Sequence, residues 1–248
     1  MKYREIEAKG ILNHFVKCFW YYETEEIDTQ HTILPDGYFD LIAEFSHRKL
    51  TLVKLTGIWT TPKEIRISKN TQILAVRFKL PAIEYVFKDQ LKSILDTSAN
   101  LALNFWQLDQ YHSDEFEHFV VQISQKLENL FNDLNQIDHR KLKLFRMVYD
   151  QEIKTVAEIS KNIFWSSRQI NRYFQTTFGI TLKEFLSIVR CHTAYKKITS
   201  DHLNSNVEYY DQAHFIKQIK KYTGTTPKEL SKNQNDRFIQ LFKPTLKS

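Results

Sequence analysis

The 248-residue sequence contains little cysteine, glycine or proline, and each shortage excludes a class of protein. Its two cysteines, Cys18 and Cys191, are too few for a disulfide framework or a cysteine-based zinc site, so we expect a reducing, cytoplasmic setting. Five glycines and five prolines argue against long disordered tracts. No apolar run reaches the roughly 18 residues that a membrane-spanning helix needs, and the N-terminus lacks the apolar stretch of a signal peptide.

Positive charge is concentrated in the C-terminal part of the chain. Residues 141–248 contain 19 Lys and Arg against 9 Asp and Glu, a net charge of +10, whereas residues 1–140 contain 16 against 20, a net charge of −4. This split indicates that only the C-terminal part faces a polyanion such as nucleic acid. A solvated basic surface without a partner is the alternative, because basic patches serve several purposes.

Between Ile11 and Lys79 the sequence is typical of short β-strands. Segments rich in Val, Ile, Phe, Tyr and Trp are separated by turn signals such as those at 35–37 and 68–70. Along 39–45, apolar residues alternate with Asp40 and Glu44 except at Ile42, which indicates that the second face is covered as well. Several short strands at this spacing predict a sandwich or a small barrel.

After Pro81 the apolar residues recur at helical spacing. The pattern predicts a helix over 83–95, a short helix over 101–109 and a long helix from Asp114 to Leu134. The apolar stripe of the long helix suits a dimer surface or, more commonly, packing onto its own domain. A polar stretch at 132–139 then marks a boundary, so we predict two domains, 1–135 and 136–248.

The C-terminal domain contains an internal repeat with a shift of 45 residues. Residues 170–185 align with 215–230, and the matched pairs include Gly179 with Gly224 and Thr181 with Thr226. Each copy reads as a recognition helix that ends at a glycine and is followed by a threonine-capped helix.

The first copy is preceded by the pattern of a short helix and a tight turn. Thr155 and Glu158 form a predicted capping box, and Ser166 is the predicted cap of the recognition helix. A short helix, a turn and a helix exposing Arg and Asn place side chains in the major groove, where Arg reads guanine and Asn reads adenine. A helical bundle with polar outer faces is the alternative.

Motifs at 166–174, 178–181, 190–194 and above all 209–229 resemble the C-terminal domain of the AraC/XylS family of bacterial transcription regulators. The resemblance spans Val156 to Leu230. It implies an all-α domain with two helix-turn-helix units that enter successive major-groove segments of double-stranded DNA. The implied DNA-binding residues are Ser167, Arg168, Asn171, Arg172 and Gln175 in the first unit, and Gln212, Ala213, His214 and Lys217 in the second.

The sequence departs from the family pattern at two places. Phe164 occupies the tight turn, where the family usually has Gly, and residues 200–208 lack the apolar pattern of a helix that would support the second recognition helix. We therefore expect the second unit to be shortened and the first unit to carry most of the base readout. An interaction protein whose degenerate helix-turn-helix no longer reads DNA is the alternative function.

The N-terminal segments 32–45 and 74–79 resemble cupin-like sensor domains attached to some of these regulators. The resemblance implies a two-domain α+β protein with an N-terminal small β-barrel, which binds a small-molecule effector, forms a homodimer, or does both. A cupin-type enzyme would need two closely spaced histidines and a carboxylate, whereas His14, His31 and His47 are scattered. We therefore expect no metal, no cofactor and no catalytic site.

Overall fold

The computed structural model describes residues 2–87, 95–96, 98–132, 137–151, 155–199 and 212–232. An N-terminal β-sheet domain precedes a C-terminal helical domain. The strands are β1 (Lys2–Glu7), β2 (Val16–Glu23), β3 (Thr29–Ile33), β4 (Phe39–Ser46), β5 (Lys49–Thr56), β6 (Lys63–Ile67), β7 (Thr71–Phe78) and β8 (Ser98–Leu101). The helices are α1 (Phe116–Asn132), α2 (His139–Tyr149), α3 (Val156–Ile163), α4 (Ser167–Phe178), α5 (Leu182–Thr199), α6 (Gln212–Thr223) and α7 (Pro227–Lys232).

The main sheet is open, and the predicted closed barrel is wrong. Six strands pair antiparallel in the order β1-β2-β7-β4-β5-β8, while β3 and β6 form a separate two-stranded sheet. A barrel would need its two edge strands to pair with each other. In the described part of the chain β1 and β8 remain the two edges, and other elements cover the faces of the sheet instead.

The two-stranded sheet covers one face of the main sheet. Ile65 and Ile67 of β6 pack against a layer formed by Trp20, Tyr22, Ile42, Ile73 and Ala75. Ile42 is only 8% exposed, so the break in alternation at this residue does reflect a second covered face, as the sequence indicated.

Helix α1 covers the opposite face. The ring of Phe119 meets Phe19 of β2 edge-on, with the ring centroids 6.4 Å apart, while Phe131 stacks on Phe15, the residue before β2, at 4.0 Å. The predicted long helix is confirmed over Phe116–Asn132 and packs on its own domain, because Phe116, Ile123 and Leu127 of its apolar stripe are buried, whereas Leu130 is 40% exposed.

Of two further predictions after Pro81, one needs correction and the other lies partly outside the described residues. The segment expected to be a short helix over 101–109 contains the end of β8 and a short 3₁₀ segment at Phe105–Gln110, because 98–101 pairs with β5 and completes the sheet. Of the helix expected over 83–95, the structure shows a π-helical turn at Ile83–Phe87, and 88–94 lie outside the described residues. None of the helices in the described part of the chain is long and apolar enough to cross a bilayer.

The loop between β3 and β4 joins the sheet domain to the helical domain. The hydroxyl of Tyr149 in α2 donates to the carbonyl of Gly37 at 2.8 Å and accepts the N–H of Leu80 at 3.0 Å. The rings of Tyr38 and Tyr149 stack at 5.1 Å. One continuous apolar core therefore runs from the sheet into the helices.

A buried charge cluster holds this loop in place. The Arg77 guanidinium donates to Asp40 at 3.1 Å and lies 3.7 Å from Asp36, which also accepts the N–H of Tyr38 at 3.0 Å. Burial raises the pKa of Asp36 to about 6, although the positive charge of Arg77 opposes this shift. The loop is thus fixed from the sheet side by Arg77 and from the helix side by Tyr149.

We expect Gly37→Ala to lower the free energy of unfolding by about 2–4 kcal/mol. Gly37 has φ +82°, and an added Cβ would lie 2.9 Å from Val189 Cγ2 and 3.2 Å from Phe185. Gly10→Ala is the matched control, since Gly10 has φ +59° but nothing within 4 Å of an added Cβ, and we expect a loss of about 1–2 kcal/mol there. Chemical denaturation of both variants measures the difference, and equal losses would contradict the close packing at Gly37.

Candidate nucleic-acid interface

Helices α3 and α4 form a helix-turn-helix whose predicted caps are confirmed. At the start of α3, the Thr155 hydroxyl accepts the N–H of Glu158 at 3.2 Å. The Glu158 carboxylate in turn accepts the N–H of Thr155 at 3.2 Å. In α4, Ser166 accepts the N–H of Gln169 at 3.2 Å, and Gln169 accepts the N–H of Ser166 at 2.8 Å. Both helices thus begin with two backbone donors satisfied by side chains.

The buried face of α4 fixes the orientation of the helix. Ile170, Phe174 and Phe178 are buried, and Phe145 of α2 contacts the rings of Phe174 and Phe178 at 5.6 and 5.7 Å. Gly179 ends the helix with φ +71°, as predicted. The helix therefore cannot rotate about its axis without exposing aromatic surface.

The opposite face of α4 is a polar surface that no other described part of the chain covers. Within the described ranges, neither Arg168 nor Arg172 has an acidic group within ion-pair distance. The structure brings all five side chains predicted for the first unit together on this exposed face: Ser167, Arg168, Asn171, Arg172 and Gln175. An exposed row of unpaired cations and amides is suited to phosphates and base edges.

Basic residues of α2 border this unit, and the sequence reasoning missed them. The guanidinium of Arg140 lies 5.2 Å from the centre of the Trp165 ring, and Lys143 donates to the carbonyl of Asn162 at the end of α3 at 2.8 Å. The signal was present as a basic run at 139–143. The sequence does not show that these residues border the helix-turn-helix, because the packing of α2 beside α3 is a tertiary contact.

The second unit repeats the local geometry of the first. Gly224 has φ +71°, the same value as its counterpart Gly179, and Thr226 caps α7 through a reciprocal pair of hydrogen bonds with Glu229. Ile219 and Leu230 are buried.

The nine predicted DNA-binding residues therefore fall on two helices, with the last four on α6. Ala213 and Lys217 are exposed there. Gln212 and His214 also lie in α6, but their side chains are outside the described part of the structure. The prediction that the second supporting helix is shortened falls on 200–208, which lie outside the described residues, and it stays a prediction.

The histidine and the cysteines considered for metal or redox chemistry lie in buried environments. His31 is buried, and its Nε2 lies 2.8 Å from the Tyr22 hydroxyl. Cys18 and Cys191 are buried, and burial raises the pKa of both thiols, that of Cys191 to about 12. Among the described residues no three His, Cys, Asp or Glu side chains are grouped as metal ligands would be.

Phe164 occupies the turn between α3 and α4 in the left-handed conformation, with φ 58° and ψ 32°. Its side chain is 89% exposed. A non-glycine residue in this region costs roughly 1–2 kcal/mol, and nothing in the described structure packs on the ring to offset it. The turn therefore keeps its geometry without the glycine that the family pattern provides.

We expect Phe164→Gly to raise the free energy of unfolding by about 1 kcal/mol, because glycine adopts this conformation without strain. Asn70→Gly is the control, since Asn70 also has positive φ, 54°, but asparagine tolerates it and the gain should be smaller. Denaturation curves of the two variants give the comparison. A loss of stability in Phe164→Gly would show that the exposed ring stabilises the fold.

Two families match different parts of the chain. Residues 4–100 match a family described as "Domain of unknown function (DUF6597)", and residues 159–233 match one described as "Helix-turn-helix domain". No curated protein sequence is significantly similar to the chain.

Among solved structures, the chain is similar to ToxT from Vibrio cholerae. A ligand-free ToxT variant is 12% identical with a TM-score of 0.41, over 85% of this chain and 96% of that one. ToxT bound to an unsaturated fatty acid is 12% identical with a TM-score of 0.36, over 93% and 94% of the two chains. Similarity at this level fixes neither a ligand nor a domain arrangement. The capped α3-turn-α4 unit and the family match at 159–233 show that the C-terminal part of this chain contains a helix-turn-helix domain.

Proposed function

We propose that the chain is a bacterial transcription regulator of the AraC/XylS type that binds a specific double-stranded DNA site mainly through α4. The observation that carries this proposal is the exposed polar face of α4, where Arg168 and Arg172 have no acidic partner among the described residues. The capped start and buried aromatic face of α4 support it, since a rigid helix presents these side chains in one orientation. Because bacterial DNA lies in the cytoplasm, we also propose that the protein acts there.

In the proposed mechanism, affinity and specificity come from different residues. Basic side chains around the unit, including the exposed Lys161, attract phosphates without regard to sequence. Arg168, Asn171 and Arg172 then contact base edges in the major groove, with Ser167 and Gln175 at the margins of the same face. The result is a sequence preference superimposed on a salt-dependent attraction.

The other parts of the chain have supporting roles in this proposal. Helix α6 contacts the phosphate backbone of a neighbouring stretch of DNA. Its candidate residues for this contact are Gln212, Ala213, His214 and Lys217. The N-terminal domain, which we assign to residues 1–135, senses a small molecule or forms a homodimer. Its packing against the helices of the C-terminal domain would transmit either event to α4.

We expect Arg168→Ala and Arg172→Ala each to weaken binding to the cognate site by roughly 1–3 kcal/mol and to relax the base preference at the contacted position. The cognate site is first selected from random DNA, and affinity is then measured by fluorescence anisotropy. Arg48→Ala is the matched control, because Arg48 is a 77% exposed arginine of the sheet domain. Unchanged binding by both α4 variants would show that α4 does not read DNA, and the absence of any salt-dependent DNA binding would favour an interaction protein.

We expect Lys217→Ala to behave differently, because its proposed contact is to phosphate. Affinity should fall by a similar factor on cognate and unrelated DNA, and the slope of log K against log salt should decrease by about 1. Lys49→Ala, an exposed lysine of the sheet domain, is the control. A selective loss on cognate DNA would instead assign base reading to α6.

A further inference from the structure

A polar contact links the N-terminal domain directly to the recognition helix. The hydroxyl of Tyr173 in α4 donates to the carboxylate of Glu84, in the π-helical turn 83–87, at 2.7 Å. Lys141 of α2 pairs with the same carboxylate, and its ammonium group lies 4.8 Å from the centre of the Tyr173 ring. Glu84 thus connects α4 and α2 to the sheet domain through one side chain.

Two neighbouring contacts extend this link. The hydroxyl of Tyr85 accepts the N–H of Asp138, the residue that caps α2. At the far end of α4, an added Cβ on Gly179 would lie 3.5 Å from Leu95, so the end of the recognition helix also lies against the N-terminal domain. The N-terminal domain therefore meets α4 at its middle through Glu84 and at its end through Leu95.

The contact leaves the polar face of α4 accessible. Tyr173 lies about 140° around the helix from Arg168, at the rate of 100° per residue, and is half-buried at the flank of the aromatic face. Glu84 therefore holds the helix from behind and does not cover the residues proposed to contact DNA. Burial and the nearby Glu84 carboxylate raise the pKa of Tyr173, so the hydroxyl remains protonated and stays a donor.

We propose that Glu84 is a positioning residue for DNA reading, which fixes the orientation of α4 through the Tyr173 hydroxyl. This inference rests on the proposed function of α4. Hydrogen bonds to charged groups are among the stronger ones in proteins, and this one joins a half-buried tyrosine to a carboxylate that is 30% exposed. Without it, the helix keeps its buried aromatic face but has a wider range of tilt, which weakens contacts that require exact alignment with base edges.

The test compares Glu84→Ala, Glu84→Gln and Tyr173→Phe in the full chain. We expect Glu84→Ala and Tyr173→Phe to weaken cognate binding by about three- to tenfold, with little effect on unrelated DNA. Glu84→Gln should retain most of the cognate affinity, because the amide oxygen still accepts the Tyr173 hydroxyl. The double variant Glu84→Ala/Tyr173→Phe should lose no more than either single variant, since both remove the same bond.

Glu23→Gln is the matched control for charge. Glu23 is 24% exposed and pairs with Lys2 at 3.0 Å in the sheet domain, far along the chain from the helices. Measuring the ratio of cognate to unrelated affinity separates misalignment of α4 from a general loss of folded protein or of negative charge, because either of those changes both affinities together. Amide hydrogen exchange across 170–178, without DNA, gives an independent measure of how firmly α4 is held.

The inference is supported if the cognate-to-unrelated ratio falls, exchange in α4 rises, and glutamine rescues both. It is overturned if Glu84→Ala has the same cognate-to-unrelated ratio as Glu23→Gln. This holds even if amide hydrogen exchange in α4 rises, because Glu84 would then only stabilise the contact between the domains. If Arg168→Ala and Arg172→Ala also leave the ratio unchanged, the proposed function fails together with the inference. Loss of binding in the arginine variants alone leaves the proposed function intact and rejects only the role of Glu84.

Discussion

The packing of Gly37 against Phe185 and Val189 of α5 is the contact on which the arrangement of the chain depends. Because a glycine stands at the tip of the loop between β3 and β4, the backbone of the sheet domain approaches α5 closely enough for the hydroxyl of Tyr149 to bond the Gly37 carbonyl. The apolar side chains on both sides then form one core instead of two. A sheet domain joined in this way is a rigid support for the helices, unlike one connected by a flexible linker.

This support matters for the proposed function, because contacts with base edges require a helix of fixed orientation. Helix α4 has reciprocal capping bonds at its start, a glycine with positive φ at its end, and buried aromatic rings along one side. These features are local to the helix-turn-helix and define its own shape. The contacts of Glu84 and Leu95 with α4 come from the other domain, so the orientation of the helix depends on the conformation of the sheet domain. A change in the N-terminal domain that moves Glu84 or Leu95 would therefore reach α4 directly.

Much of the helical domain could be predicted from the sequence, since its signals act over three or four residues. The capping box at Thr155, the cap at Ser166 and the terminal glycine at 179 were all confirmed. The open sheet could not be predicted in the same way. Alternating residues indicate strands, but whether β1 pairs with β8 depends on contacts between segments almost a hundred residues apart. The expected helix over 101–109 was wrong for a related reason, because its first residue, Leu101, ends the strand 98–101 that pairs with β5, and only a short 3₁₀ segment follows at Phe105–Gln110.

The sequence by itself determined the local elements of this protein: the strands, the caps, the repeat with its two matched glycines, and the polar face of α4. Each follows from the preferences of residues that are neighbours in the chain. Only the tertiary structure decided which side chains meet across the domains. In the sequence, Tyr173 is one more aromatic residue of a helix, and Glu84 is a charged residue within a predicted helix. Their contact arises because Gly37 and Tyr149 bring the two domains together, which places residues 89 positions apart within hydrogen-bond distance.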